Sequence, residues 1–288
     1  MVGSERLPDA QSNQPASGSV TAGSLDEALK LRKENPGLIP YAGGTDLMIE
    51  GRADAAYLFL GKVPEMKRIA QDDEFIRFGA ACTFSQLICS AHTPGILRDA
   101  CLQIAAPAIR NMGSIGGNIG NGSPKADSAL IFMATNSMLR LVSADSERIL
   151  PIRKFYLGRK KLDLAPDELI VEVLMPIHGI DNYYYKKVGG RRALAISRVA
   201  FAGIMDVRDG IICNCAAAFG SIGDVIVCLD EIDRMLVGKS VEEASALKEA
   251  YIDAYNMAIV PVAGRVSADY RKQVCMNLLR DFLESNHI

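Results

Sequence analysis

Residues 113–127 read Gly113-Ser114-Ile115-Gly116-Gly117-Asn118-Ile119-Gly120-Asn121-Gly122-Ser123-Pro124-Lys125-Ala126-Asp127, five glycines in fifteen positions closed by one acid. Such a run supplies almost no apolar surface, so it reads as a loop rather than a core segment. Glycine removes the Cβ that blocks close approach and permits positive φ. Successive backbone N–H groups can then converge on phosphate oxygens. A second turn of this kind, Ala42-Gly43-Gly44-Thr45-Asp46, lies upstream. Ordinary tight turns would explain each glycine pair separately. Two of them together predict one extended polyanionic ligand held at two places.

Other chemistries lack their residues. No Gly-x-Gly-x-x-Gly follows a strand, so the Rossmann reading has no motif. Gly238-Lys239-Ser240 resembles the end of a P-loop, but position 233 is Asp where the first glycine belongs. Ser240 with Glu243 is better explained as a capping box. There is no Gly-x-Ser-x-Gly elbow for a serine hydrolase. Seven cysteines include no CxxC pair, and the three histidines are far apart in sequence, so no metal site and no catalytic residue is assigned. Cys213 and Cys215, two apart on an expected strand, should face the same side.

The chain has 288 residues, 49% hydrophobic and 23% charged, with a formal net charge of -2. That balance gives no global field to draw it to nucleic acid or an anionic membrane. No apolar run reaches the length of a membrane span. The first twenty residues are rich in Ser, Gln, Asn, Pro and Gly and have neither the apolar core of a secretory signal nor the arginines of a transit peptide. They read as a flexible lead-in to a cytoplasmic protein.

The elements that must position the glycine turns follow from pattern. Ser24 and Glu27 form a capping box for a helix that Pro36-Gly37 ends. Short strands at 38–41 and 55–60 complete a β-α-β unit, the first running into the upstream glycine turn. Strands are expected at 75–79, 138–142 and 169–174, with helices near 84–90 and 97–106. Pro176 and Gly179 mark a boundary. Beyond it, strands at 199–207 and 211–219 flank Arg208-Asp209-Gly210, where Asp-Gly signals a hairpin. Val274, Leu278 and Phe282 form the apolar stripe of the last helix. The expected division is a lead-in at 1–20, two subdomains at 21–61 and 62–177, and a C-terminal domain at 178–288.

Tyr41-Ala42-Gly43-Gly44-Thr45-Asp46-Leu47, then Ile109-Arg110-Asn111-Met112-Gly113-Ser114-Ile115-Gly116-Gly117-Asn118, then Ser123-Pro124 with Asp127 resemble the FAD-binding medium subunit of the molybdenum hydroxylases. Further matches are Asp167-Glu168-Leu169-Ile170-Val171, Arg191-Arg192-Ala193-Leu194-Ala195-Ile196-Ser197 and Ser267-Ala268-Asp269-Tyr270-Arg271. The resemblance runs from about residue 20 to the C-terminus, and its order of motifs is more specific than either turn alone. It implies an α+β fold: a two-lobed FAD-binding domain of the vanillyl-alcohol-oxidase type, followed by a small domain of the CO dehydrogenase flavoprotein type. It implies FAD, its pyrophosphate wrapped by the backbone amides of Ala42, Gly43, Gly44, Thr45 and Asp46 and of Ser114, Ile115, Gly116, Gly117 and Asn118. Ile104 and Ala105 match positions near the adenine, Asn121 and Asp127 polar contacts along the dinucleotide, and Ile170 and Lys187 positions near the isoalloxazine. The residues themselves allow blander roles: Asp127 as a helix cap, Ile170 as a core residue and Lys187 as a surface cation.

The implied role is electron transfer in a complex resembling xanthine dehydrogenase. A molybdenum-cofactor large subunit and a 2Fe-2S small subunit would be the partners, and NAD the expected acceptor. The FAD subunit of a nicotinate, aldehyde or CO dehydrogenase is the alternative, and a scaffold that has lost its flavin is a further one. Ala195 stands where some family members carry an acid near the flavin, so acceptor access is expected to differ from theirs.

Overall fold

The computed structural model describes residues 18–52, 54–191 and 193–288; most of the expected lead-in, and Arg192 of the Arg191–Ser197 match, lie outside the described residues. Val20–Thr21, Tyr57–Phe59 and Ile39–Tyr41 form a three-stranded parallel sheet with Tyr57–Phe59 central. The helix Leu25–Glu34 makes the crossover that parallel strands require. Its N-terminal cap differs from the expected box by one residue. Ser24 Oγ accepts the Glu27 N–H at 3.2 Å, but the Glu27 carboxylate accepts from the Gly23 N–H at 2.7 Å, not from Ser24.

The second lobe is a five-stranded antiparallel sheet in the order Ile69–Gln71, Phe75–Gly79, Leu169–Pro176, Met138–Val142, Glu147–Pro151. Alternation sets its faces. Ile76, Phe78, Leu139, Leu141 and Val173 are buried, while Arg77, Arg140 and Glu172 between them form an ion-paired outer face.

The helix Asp127–Ala134 is buried at all eight positions, as a helix apolar all round must be. One side packs Phe132 against Phe78 of the five-stranded sheet, ring centroids 6.4 Å apart. The other meets the C-terminal sheet of Tyr183–Gly189, Ser197–Arg208, Ile211–Gly220 and Val227–Cys228. That sheet presents Ala200, Ala202, Ala216 and Ala218 to the helix side. Its opposite face carries Val199, Phe201 and Phe219 against the helices Val241–Ala258 and Ala268–Ser285. Gly203 has no side chain because a Cβ there would lie 2.6 Å from the Phe282 ring.

The Arg208-Asp209-Gly210 hairpin forms with φ of 50° at Asp209 and 77° at Gly210, the paired left-handed residues of a tight hairpin turn. Cys213 and Cys215 do not share a face. Asp206 pairs with Asn214 and Val207 with Ile212, so Cys213 is the extra residue of a bulge. It is exposed while Cys215 is buried. Among the described residues no helix is long and apolar enough to cross a membrane, and no group of His, Cys, Asp and Glu could hold a metal ion.

Candidate functional site: a cleft between the two lobes

Strand Ile39–Tyr41 delivers the chain to the edge of the parallel sheet, where the first glycine turn begins. Gly44 adopts φ +69°, a region glycine enters without penalty. A Cβ on Gly43 would lie 1.7 Å from the Met112 carbonyl oxygen, so the two glycine turns touch backbone to backbone. The N–H groups of Gly43, Gly44 and Thr45 meet no acceptor among the described residues. Three successive free donors on a partly exposed turn that lines the cleft are available to an anion.

The second turn is built differently from the expected loop. Within it Ile115–Gly120 is a helix, capped by Ser114 Oγ, which accepts the Gly117 N–H at 3.2 Å. Ile115 and Ile119, one turn apart, are buried and anchor it. The Ile115 N–H donates to Cys82 O at 3.1 Å and the Gly116 N–H to Ala80 O at 2.8 Å. These donors are engaged within the chain, so free backbone amides belong to the first turn. A Cβ on Gly116 would lie 2.7 Å from Ala80 O, whereas one on Gly120 would meet only Ile170 Cδ1, at 3.6 Å. Gly116 is therefore a packing requirement, and Gly120 keeps the cleft wall low.

Between the turns runs a cleft of about 390 Å³. Two contacts cross it: Asn121 Nδ2 donates to Asp46 Oδ2 at 2.7 Å, and Lys160 Nζ donates to Glu50 Oε1 at 3.0 Å. Of the residues singled out from sequence, Ala42, Gly43, Gly44, Thr45, Asp46, Ser114, Gly116, Gly117, Asn118, Asn121 and Ile170 line it. Ile115 points into the core. Sequence reasoning did not find Arg32, Leu60, Met66, Phe84, Lys160 or Glu168, which also line it. Glu168 lies within the Asp167–Val171 match but was not assigned to the site, and no motif marks the others, which the tertiary fold brings in.

Ile104, Ala105, Asp127 and Lys187 do not line this cleft. Lys187 Nζ donates to Asp127 Oδ2 at 2.7 Å and to the Gln103 carbonyl at 2.9 Å, and Ser197 Oγ donates to Asp127 Oδ1 at 2.8 Å. Asp127 opens its helix but caps nothing, Ala126 being the N-cap. Burial pushes its carboxyl above the ordinary range, opposed by Lys187 and Ser197. Arg110 Nη1 donates to the carbonyls of Ile104 and Ala105, both at 2.9 Å, and fixes the chain where Ala105 takes φ +43°. This cluster is linked to the cleft, because Ser128 Oγ donates to Oδ1 of the cleft residue Asn118 at 2.7 Å.

A run of unpartnered N–H groups in a cleft also lined by Gly117 and Gly120 suits the diphosphate of a dinucleotide. The architecture is that of a two-lobed dinucleotide-binding protein with an appended α+β domain. The sequence profile described as the FAD binding domain in molybdopterin dehydrogenase matches residues 15–178, and that of the CO dehydrogenase flavoprotein C-terminal domain matches 183–286. The chain is 31% identical over 210 residues to a xanthine dehydrogenase FAD-binding subunit of Escherichia coli O157:H7, covering 69% of this chain and 72% of that one. It is 28% identical over 232 residues to the nicotinate dehydrogenase FAD-subunit of Eubacterium barkeri, covering 75% and 77%. In fold it is similar to a chain of the reconstituted CO dehydrogenase from Oligotropha carboxidovorans, with TM-score 0.84, 24% identity and 95% and 99% coverage. The chain belongs to the FAD-binding subunit family of the molybdenum hydroxylases. Its cofactor is FAD and its fold is the α+β one expected from the sequence.

Proposed function

We propose that the chain is the flavin relay of a xanthine dehydrogenase-like complex, taking electrons from a 2Fe-2S small subunit that is fed by a molybdenum-cofactor large subunit, with NAD as the acceptor. When bound, FAD supplies exchange between one-electron donors and a two-electron acceptor. The observation that carries the reading is the free N–H run of Gly43, Gly44 and Thr45 in a cleft that Gly117 and Gly120 also line. In this reading the first turn holds the diphosphate, Asp46 and Asn121 serve its neighbouring hydroxyls, and Ile170 supplies an apolar wall. Lys187, Asp127, Ile104 and Ala105 form a supporting group next to that site. The functional division is a FAD unit of residues 21–61 and 62–177, with 178–288 closing its far side. Xanthine is favoured over nicotinate by the higher identity of the xanthine dehydrogenase relative.

The test has two arms. The purified chain should carry FAD and hydroxylate nothing; turnover of xanthine by this chain alone defeats the subunit reading. The chain assembled with the products of its neighbouring genes should reduce NAD with xanthine. Failure with NAD but success with a dye removes NAD as acceptor, and nicotinate turnover without xanthine turnover moves the substrate.

A further inference from the structure

Arg32 is an unusual residue to find at the wall of a dinucleotide cleft. It sits in the last turn of the Leu25–Glu34 helix, is only 8% exposed, and lines the cleft beside Ile39, Pro40, Leu60 and Met66. Its Nη1 donates to the carbonyls of Pro36 and Leu38, while Nε has no partner among the described residues. Among the described residues no carboxylate is ion-paired with it; Asp167 acts only at a distance, and burial lowers the guanidinium pKa. Burying a cation without a counter-charge is unfavourable. Holding the helix end alone needs no charge, since a neutral donor could bond the same two carbonyls.

Its position in the fold says which part of the ligand it meets. Leu38 precedes the strand Ile39–Tyr41 and the glycine turn follows it, and a strand rises by about 3.3 Å per residue. The guanidinium anchored on the Leu38 carbonyl therefore sits at the opposite end of that strand from the phosphate cradle. The neighbouring wall of Ile39, Pro40, Leu60 and Met66 is apolar and suits a flat ring. The isoalloxazine must meet an electron donor and an acceptor, so the end walled by the buried Arg32, Leu60 and Met66 falls to the other ring system.

We propose that Arg32 is an adenine-recognition residue of this chain, its guanidinium donating to a ring nitrogen or lying over the purine face. The contact would make the chain prefer FAD to FMN. This inference rests on the flavin-relay reading for which ring lies at the Arg32 end.

The flavin-free chain is titrated with FAD, FMN and ADP in the wild type, Arg32→Leu and Arg32→Lys, with apo melting temperatures measured alongside. Arg32→Leu is expected to weaken FAD by about tenfold, the scale of one charge-assisted hydrogen bond or desolvated cation–π contact. ADP should weaken in step and FMN should not. Arg32→Lys, which keeps the cation without its fork, should show a smaller loss of the same pattern and guards against a leucine variant that does not fold. Unchanged FAD affinity, equal weakening of FMN, or loss of FAD without loss of ADP each overturns the proposal; the second outcome would make Arg32 a staple of the helix end. A wild-type chain that binds no FAD would overturn the relay reading itself, and this inference with it.

Discussion

Lys187 Nζ lies 2.7 Å from Asp127 Oδ2, and each side chain is 7% exposed. The two residues come from a buried helix and the edge strand of the C-terminal sheet, so this pair ties the FAD lobes to the last domain. Removing one partner of a buried pair typically costs about 3–5 kcal/mol, because the other charge remains unpaired. Lys187→Met should therefore lower stability to urea by about that amount, and Asp127→Asn/Lys187→Met should recover part of it. The sign with pH is fixed. Burial raises the Asp127 carboxyl, and without Lys187 it rises further, so the single variant should lose stability as pH increases from the acid side. A Lys187→Met chain as stable as wild type at pH 7 would show that the pair carries no weight.

A second buried acid governs the C-terminal domain. Asp233 Oδ1 accepts from Tyr251 Oη and Tyr255 Oη, both at 2.7 Å, and Oδ2 accepts the Ala217 N–H at 3.3 Å. Burial pushes its pKa up to about 6, although these donors pull it down. The folded value lies above the unfolded one, so the folded state binds more protons between about pH 4 and 6 and stability falls as pH rises through that window. A carboxyl raised that far from its ordinary value corresponds to roughly 3 kcal/mol between the two protonation states. Denaturant midpoints measured across the window should show this slope in the wild type and lose it in Asp233→Asn. The same slope in both proteins would assign it to other groups.

Gly120 and Gly43 should separate ligand space from packing space. Gly120 ends a helix, and alanine there meets only Ile170 Cδ1 at 3.6 Å. Replacing a helical glycine by alanine gains up to about 1 kcal/mol. Gly120→Ala should leave the apo melting temperature equal or higher while weakening FAD, because the methyl group enters the cleft. Gly43→Ala drives a methyl group into the Met112 carbonyl and should lower both. If Gly120→Ala binds FAD as tightly as wild type, the ligand does not approach that wall.

Much of this arrangement was legible in the sequence where local pattern decides it. Phe75–Gly79 and Met138–Val142 each set one arginine between apolar residues, and the structure places strands at those bounds. Ser240 and Glu243 form both bonds of their capping box. The helix Ile115–Gly120 was not legible, because its glycines disfavour a helix and it is held by the burial of Ile115 and Ile119, the Ser114 cap and bonds to the distant Ala80 and Cys82 carbonyls. Cys213 shows the limit of strand periodicity, since one bulged residue reverses every face beyond it. Arg32 reads in sequence as an ordinary basic residue of a last helical turn. Its burial, like the meeting of Lys187 with Asp127, depends on contacts between segments far apart in the chain.

Between Gly189 and Ser197 the chain carries Ala195, the position tested for acceptor choice. Leu194 takes φ +53°, and its carbonyl accepts from Arg191 Nε at 3.1 Å and Nη2 at 2.6 Å, while Leu194 and Ile196 are exposed. Ala195 is turned towards Gly189, where a second Cβ would come within 2.4 Å, so the loop folds back tightly on its own strand. An aspartate at 195 adds negative charge on the loop that follows Lys187. A dinucleotide acceptor carries phosphates that this charge repels, and a small neutral dye does not. In the assembled complex Ala195→Asp should therefore slow NAD-linked turnover more than dye-linked turnover, and the difference should shrink as salt screens the charge. Melting temperature and flavin content of the variant distinguish this from a disturbed loop, since both should match wild type. Equal effects on the two acceptors, or a difference indifferent to salt, would remove Ala195 from the acceptor path.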